Sequence, residues 1–178
     1  SFVTQEDILE TFESMIREIF KKLVGFEFPK FQRMQYADAI RDYGIDKPDL
    51  RYGMKLKDLT NVKGVKGKNF KMFDEAETVV GIVLPGIGSW AKKKIKNLEK
   101  TAKSQRIGAS ALVWVKCVEV GDGKGKFQTS AKKFFNDEDL YNWAQACEAK
   151  TGDVITIMSG PDFKTRECMG KFRHLMGT

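Results

Sequence analysis

Residues 43–51 read YGIDKPDLR, and this stretch separates two kinds of sequence. Before it, apolar residues recur every three or four positions. After it, short β-branched runs alternate with glycine-rich loops. Gly44 is the expected stop of a short helix over Tyr36–Tyr43. Pro48 fixes its own φ and pushes Lys47 toward an extended shape, so the stretch reads as a stiffened turn. Lys47 and Arg51 are placed to neutralise Asp46 and Asp49 locally, and nothing marks either carboxylate as a general acid or base.

Upstream, Thr4–Val24 reads as a long amphipathic helix. Thr4 caps it, Gln5, Glu6 and Asp7 suit its positive end, and Gly25 stops it. Ile8, Leu9, Phe12, Met15, Ile16, Ile19, Phe20 and Leu23 form its apolar stripe. Pro29 keeps FEFPKFQRMQ as an extended connector. Downstream, MKLKDL alternates like a strand, NVKGVKGKNF reads as a loop, and FKMF as a short strand. TVVGIVLPG and ALVWVKCVEV are the strongest strands, and DVITIM is another. GDGKGK is a turn, with FQTSA the returning strand. Helices are expected over Ser89–Gln105 with Ser89 as cap, from Asn136 or Asp137 to Glu148, and over Lys164–Met176.

At 178 residues, 42% hydrophobic, with 13 Phe and 3 Trp, the chain has the material for a packed core rather than a disordered segment. No apolar run approaches the ~20 residues of a spanning helix, and no signal peptide is expected. Cys117, Cys147 and Cys168 are an odd, widely spaced set without CxxC, so a reducing cytoplasm is the simplest setting. Without an initial Met, the chain is expected to be an excised piece of a longer one. The net charge of +7 points to a polyanionic partner, nucleic acid first.

Nearly all of that charge sits in WAKKKIKNLEKTAKSQR, residues 90–106, where seven basic residues face one Glu. On a helix, Ala91, Ile95, Leu98 and Ala102 share one side. Lys92, Lys93, Lys96, Lys100 and Lys103 share a sector roughly 100° wide on the other. Two readings fit: a stripe that follows a phosphate backbone, or the solvated face of an ordinary surface helix. PGIGSW runs from strand to helix like a phosphate loop, but lacks the GK[ST] ending and the third glycine, so turn chemistry accounts for it. His174 is the only histidine, and no spacing suggests zinc or a catalytic triad. Asp137, Glu138 and Asp139 suit a helix N-terminus.

The connected text RMQYADAIRDYGIDKPDLRYG resembles bacterial-type aspartyl-tRNA synthetases of class II. The resemblance is carried by Arg33, Met34, Tyr36, Asp38, Ala39, Tyr43, Gly44, Asp46, Lys47, Pro48, Asp49, Leu50, Arg51 and Gly53. Ile45 stands where that family usually has serine. SFVTQEDILETFESMIREIF is similar to the helix after the family's second signature. VVGIVLPG, ALVWVKCVE and AKKFF (with one extra Lys) are similar to its inserted domain, called GAD, which the B subunit of the tRNA-dependent amidotransferase shares. GDVITIMSG and the following helix resemble the return to the catalytic domain.

The resemblance implies an α+β fold: a two-layer insertion domain over 53–159, with helices packed on one face of a mostly antiparallel sheet. Residues 1–52 and 160–178 would be flanks of an incomplete catalytic domain, their helices Ile8–Leu23 and Phe163–Leu175 packing on each other or on another copy. It implies a parent enzyme that is cytoplasmic and homodimeric. That enzyme would activate L-aspartate with ATP and Mg²⁺ and pass it to tRNA. The family's catalytic, cofactor-binding and metal-binding residues map onto no position here. This chain is therefore expected to be inactive alone, with Lys92, Lys93, Lys96, Lys100 and Lys103 as candidate RNA contacts. The alternative is a basic RNA-contacting or structural module, as in the amidotransferase subunit.

Overall fold

A computed structural model describes residues 2–178 and divides them into two compact units, 1–35 and 36–178. The first is helix α1 (Gln5–Val24) with an extended tail that folds back along it. Thr4 and Asp7 close a capping box at its start, and Gly25, at φ 69°, ends it. The tail is held by Arg17, which donates to the Phe28 carbonyl at 3.0 Å, and by the buried Glu13, which accepts from the Phe31 N–H at 2.8 Å. Phe28 packs edge-on against Phe20 and Phe26. The apolar stripe of α1 stays in solvent: Phe12 is 56% exposed and Leu23 80%.

The second unit starts with α2 (Tyr36–Tyr43) and centres on one antiparallel sheet in the order β1-β2-β5-β3-β4. Its strands are β1 (Lys57–Asp58), β2 (Thr78–Leu84), β3 (Val113–Val120), β4 (Gly125–Thr129) and β5 (Val154–Gly160). Between them lie α3 (Lys71–Asp74), α4 (Lys92–Ala102) and α5 (Asp137–Cys147), and α6 (Asp162–Gly177) closes the chain. β2 pairs along its whole length with β5, from Thr78 opposite Gly160 to Leu84 opposite Val154.

The α+β class and the antiparallel sheet are as expected, but helices cover both faces of the sheet rather than one. On one face, Phe73 of α3 and Leu140, Trp143 and Ala144 of α5 pack over Val79, Val113, Val115, Ile155 and Ile157. On the other, Ile95, Leu98 and Ala102 of α4 and Cys168, Met169 and Phe172 of α6 pack over Val80, Ile82, Trp114 and Met158. The cause lies in β2 and β5. Both carry apolar residues on each of their two faces, with Thr156 of β5 a buried polar exception, and a strand of that kind needs cover on each side. Helix α6 is thus buried within its own unit.

Other differences are local. FKMF is the helical turn α3, because Phe70 and Phe73 close it with an N–H to carbonyl bond of 2.8 Å and stack edge-on at 4.9 Å. Only two residues of MKLKDL pair as a strand. Asn136 caps α5 with a capping box to Asp139, as its spacing predicts.

The turn over residues 43–51 is held from α6. Arg173 is fully buried and, among the described residues, has no carboxylate within 4.0 Å. Its guanidinium lies between the rings of Tyr43, at 4.7 Å, and Tyr52, at 4.5 Å. Its Nη2 donates to the carbonyls of Asp49 (2.8 Å), Tyr52 (2.9 Å) and Gly53 (2.8 Å), and its Nε to that of Met54 (3.1 Å). Burial draws its pKa below the ordinary guanidinium value. Outside this clamp, Arg51 bonds Asp49 through side chain and backbone and holds that carboxyl near a pKa of about 2. Asp46 and Lys47 are exposed and Pro48 is half-buried. One turn of helix away, Gly44 meets α6 backbone to backbone. A Cβ on Gly44 would lie 2.0 Å from the Arg166 carbonyl oxygen, and one on Gly170 would lie 2.6 Å from that of Tyr43.

Gly44→Ala is therefore expected to destabilise the chain by about 2 kcal/mol or more, from a strained φ of 73° plus the clash. Gly108→Ala, at φ 77° with nothing within 4 Å, should cost only the strain, about 1 kcal/mol. Urea unfolding of both variants reads the difference, and equal losses would refute the backbone contact. Arg173→Lys keeps the charge but cannot fork across several carbonyls, and should cost about 3 kcal/mol. A wild-type urea midpoint for that variant would show that the clamp does not stabilise the fold.

Candidate nucleic-acid interface

Helix α4 begins later than its sequence suggests. Ser89 ends a short 3₁₀ turn, Ile87–Ser89, and Trp90 and Ala91 are extended, so no side chain caps the helix at Lys92. The delay comes from the PGIGSW loop docking elsewhere. The Gly88 N–H donates to the Gly152 carbonyl at 2.7 Å, and the Gly86 N–H to the Asp153 carboxylate at 3.0 Å. Those are the donors a phosphate would need, and a carboxylate of the same chain already occupies one of them. The helix also stops at Ala102, short of Gln105.

The remaining geometry follows the wheel except at Ala91, expected on the apolar side, which precedes the helix and is exposed. Ile95, Leu98 and Ala102 are buried against the sheet. Glu99 anchors the helix by accepting the Trp114 indole N–H at 2.8 Å. Lys92, Lys93, Lys96, Lys100 and Lys103 all face solvent. Lys94 lies over the Trp90 ring, 3.6 Å from its centre. Among the described residues, none of these lysines has a carboxylate within 4.0 Å. The loop lysines of NVKGVKGKNF differ: Lys63 pairs with Glu138, Lys68 with Asp139, and Lys66 donates to the Ala76 carbonyl. The stripe is therefore where uncompensated positive charge collects.

A groove of about 450 Å³ runs beside α4. Lys92 and Lys96 line it together with Ser130, Phe70 and Phe134. Phe134 is 42% exposed, while its neighbour Phe135 is buried. Composition and periodicity do not mark these aromatics as surface groups. The one signal for them was the KKFF order, in which only one of two adjacent rings can turn inward from such a turn.

The other candidate groups fall outside this region. Tyr43, Gly44, Asp46, Lys47, Pro48, Asp49 and Arg51 form or flank the turn held by Arg173. His174 is exposed, with Nδ1 3.1 Å from the Tyr52 hydroxyl. Burial pushes the Cys117 and Cys147 thiols up to about 12 and also raises Cys168, which makes all three poor nucleophiles. Among the described residues, no three His, Cys, Asp or Glu gather as a metal site.

Comparison with known proteins places this fold in a family. The family described as "tRNA synthetases class II (D, K and N)" matches residues 1–165. An aspartate–tRNA ligase of Flavobacterium psychrophilum is 42% identical over 178 residues, covering all of this chain and 30% of that protein. Those of Phocaeicola vulgatus and Bacteroides thetaiotaomicron are each 41% identical, over 99% and 100% of this chain and again 30% of each relative. The chain thus spans about 30% of the length of the curated relatives it matches. Similarity at this level, along the whole of the chain, means that it belongs to the class II tRNA synthetases of the D, K and N group.

Proposed function

We propose that these residues are a non-catalytic part of an aspartate–tRNA ligase, and that they serve it by presenting a basic face to tRNA. The observation that carries the first half is the match along the entire chain to relatives of that name, of which it spans only 30%. In such an enzyme, the L-aspartate carboxylate attacks the α-phosphate of ATP, giving aspartyl-adenylate and pyrophosphate. A terminal ribose hydroxyl of tRNA then takes the aspartyl group and releases AMP. ATP and Mg²⁺ belong to that parent reaction. The loop donors that would suit a phosphate are already bonded to Asp153 and Gly152, and no carboxylate cluster suits Mg²⁺ among the described residues. No step of the chemistry is assigned to this chain.

In this reading, residues 53–159 are the inserted domain, and 1–52 and 160–178 are its flanks within a cytoplasmic, homodimeric parent. The exposed apolar stripe of α1 supports that view, since such a stripe is the kind of face that further protein covers. Among the described residues, no helix is long and apolar enough to cross a membrane. The named relatives are ligases, which favours this reading over an amidotransferase subunit.

Two measurements test the proposal. The purified chain should show no aspartate-dependent ATP–pyrophosphate exchange, and exchange above background would overturn the non-catalytic assignment. It should bind tRNA with an affinity that falls steeply with salt, and Lys96→Glu and Lys100→Glu should each weaken binding several-fold and flatten the salt slope by about one. Unchanged binding in both variants would reject α4 as the contact face.

A further inference from the structure

The groove beside α4 carries more than charge. We propose that it seats an unpaired segment of RNA, with one base stacked on Phe134 and the adjoining phosphates on Lys92 and Lys96. This rests on the reading of α4 as an RNA-facing helix, and sharpens it from a backbone contact to a preference for single strands.

Three observations carry it. The first is the ring. Phe134 is 42% exposed, yet it leans on Phe70 at 4.8 Å between centres, so it is held in place without being used up by the core. An aromatic face fixed in solvent beside positive charge is how proteins hold single strands without reading sequence. The second is the charge. Lys92 and Lys96 stand one helical turn apart in the lining of the groove with no carboxylate partner among the described residues, and beyond the ring Lys132 and Lys133 line a neighbouring groove together with Asp137 and Asp139. Glu99, the one acid lining the groove, already accepts the Trp114 indole N–H at 2.8 Å.

The third is shape. A groove of about 450 Å³ is the size that takes a small planar group. A duplex would lie across its mouth and leave the ring unused. The Ser130 hydroxyl oxygen accepts the Trp114 backbone N–H at 3.2 Å, so its own O–H remains to donate to a base edge or a phosphate.

The test titrates the 178-residue chain with a single-stranded RNA of about eight nucleotides carrying 2-aminopurine, and with the matching duplex. Binding of the single strand should quench the 2-aminopurine. Phe134→Ala should lose the quench and roughly fivefold or more of single-strand affinity, with duplex affinity unchanged. Phe134→Trp should keep both. A melting curve of Phe134→Ala matching wild type ties the loss to the ring rather than to unfolding. If Phe134→Ala binds and quenches as wild type while Lys96→Glu still weakens both RNAs, the groove is overturned and the role of α4 stands. If Lys96→Glu changes neither RNA, α4 is not the contact face and the groove falls with it.

Discussion

Arg173 is the constraint on which the second unit depends. A buried guanidinium is costly unless its donors are satisfied, and here backbone carbonyls take Nε and Nη2 while two tyrosine rings, rather than an acid, face the cation; Nη1 is left without a hydrogen-bond partner among the described residues. The hydrogen-bond partners are main-chain carbonyls of Asp49, Tyr52, Gly53 and Met54, so the clamp fixes the path of residues 49–54 through backbone, with the Tyr52 ring as its one side-chain contribution from that segment. That path delivers the chain to β1 and lets Leu56 and Leu59 enter the core. It also explains a turn rich in charge with no chemistry of its own. Asp49 contributes its carbonyl inward and its carboxylate to Arg51 outward.

Much of this architecture was legible in the residues, and the limits were physical. Thr4 and Asn136 announced their helices because a cap is a local bond between neighbours. TVVGIVL and DVITIM announced strands because β-branched runs fit little else. What failed was whatever needed a partner far along the chain. FKMF lacks any cap, and it became helical because Phe73 had a pocket to fill against Trp143 and Phe135. The start of α4 depended on Gly88 meeting Gly152, some sixty residues away, which no spacing reveals. The lysine stripe could be read from the wheel. The exposed ring opposite it could not, since nothing in KKFF says which phenylalanine turns outward.

The two charge-rich segments show how a fold decides what its lysines do. In NVKGVKGKNF two of them, Lys63 and Lys68, pair with the acidic N-terminus of α5 and the third, Lys66, bonds the Ala76 carbonyl, so that all three stitch a glycine-rich loop to the core. In α4 the sole acid is turned inward to Trp114, so the outer face keeps its charge. Burial of Ile95, Leu98 and Ala102 fixes the rotation of that helix and thereby the direction in which the charge points.

The close approach of Gly44 to Gly170 has a topological consequence. Together with the hold of Arg173 on Asp49, it brings the two chain crossings of the sheet domain side by side: everything between departs from and returns to nearly one point. The loops that hang between those crossings can be lengthened or trimmed without asking α2 and α6 to part, whereas β2, β3 and β5 share a core with α6 and stay matched to it. The glycine pair is the frame that keeps the two crossings in register.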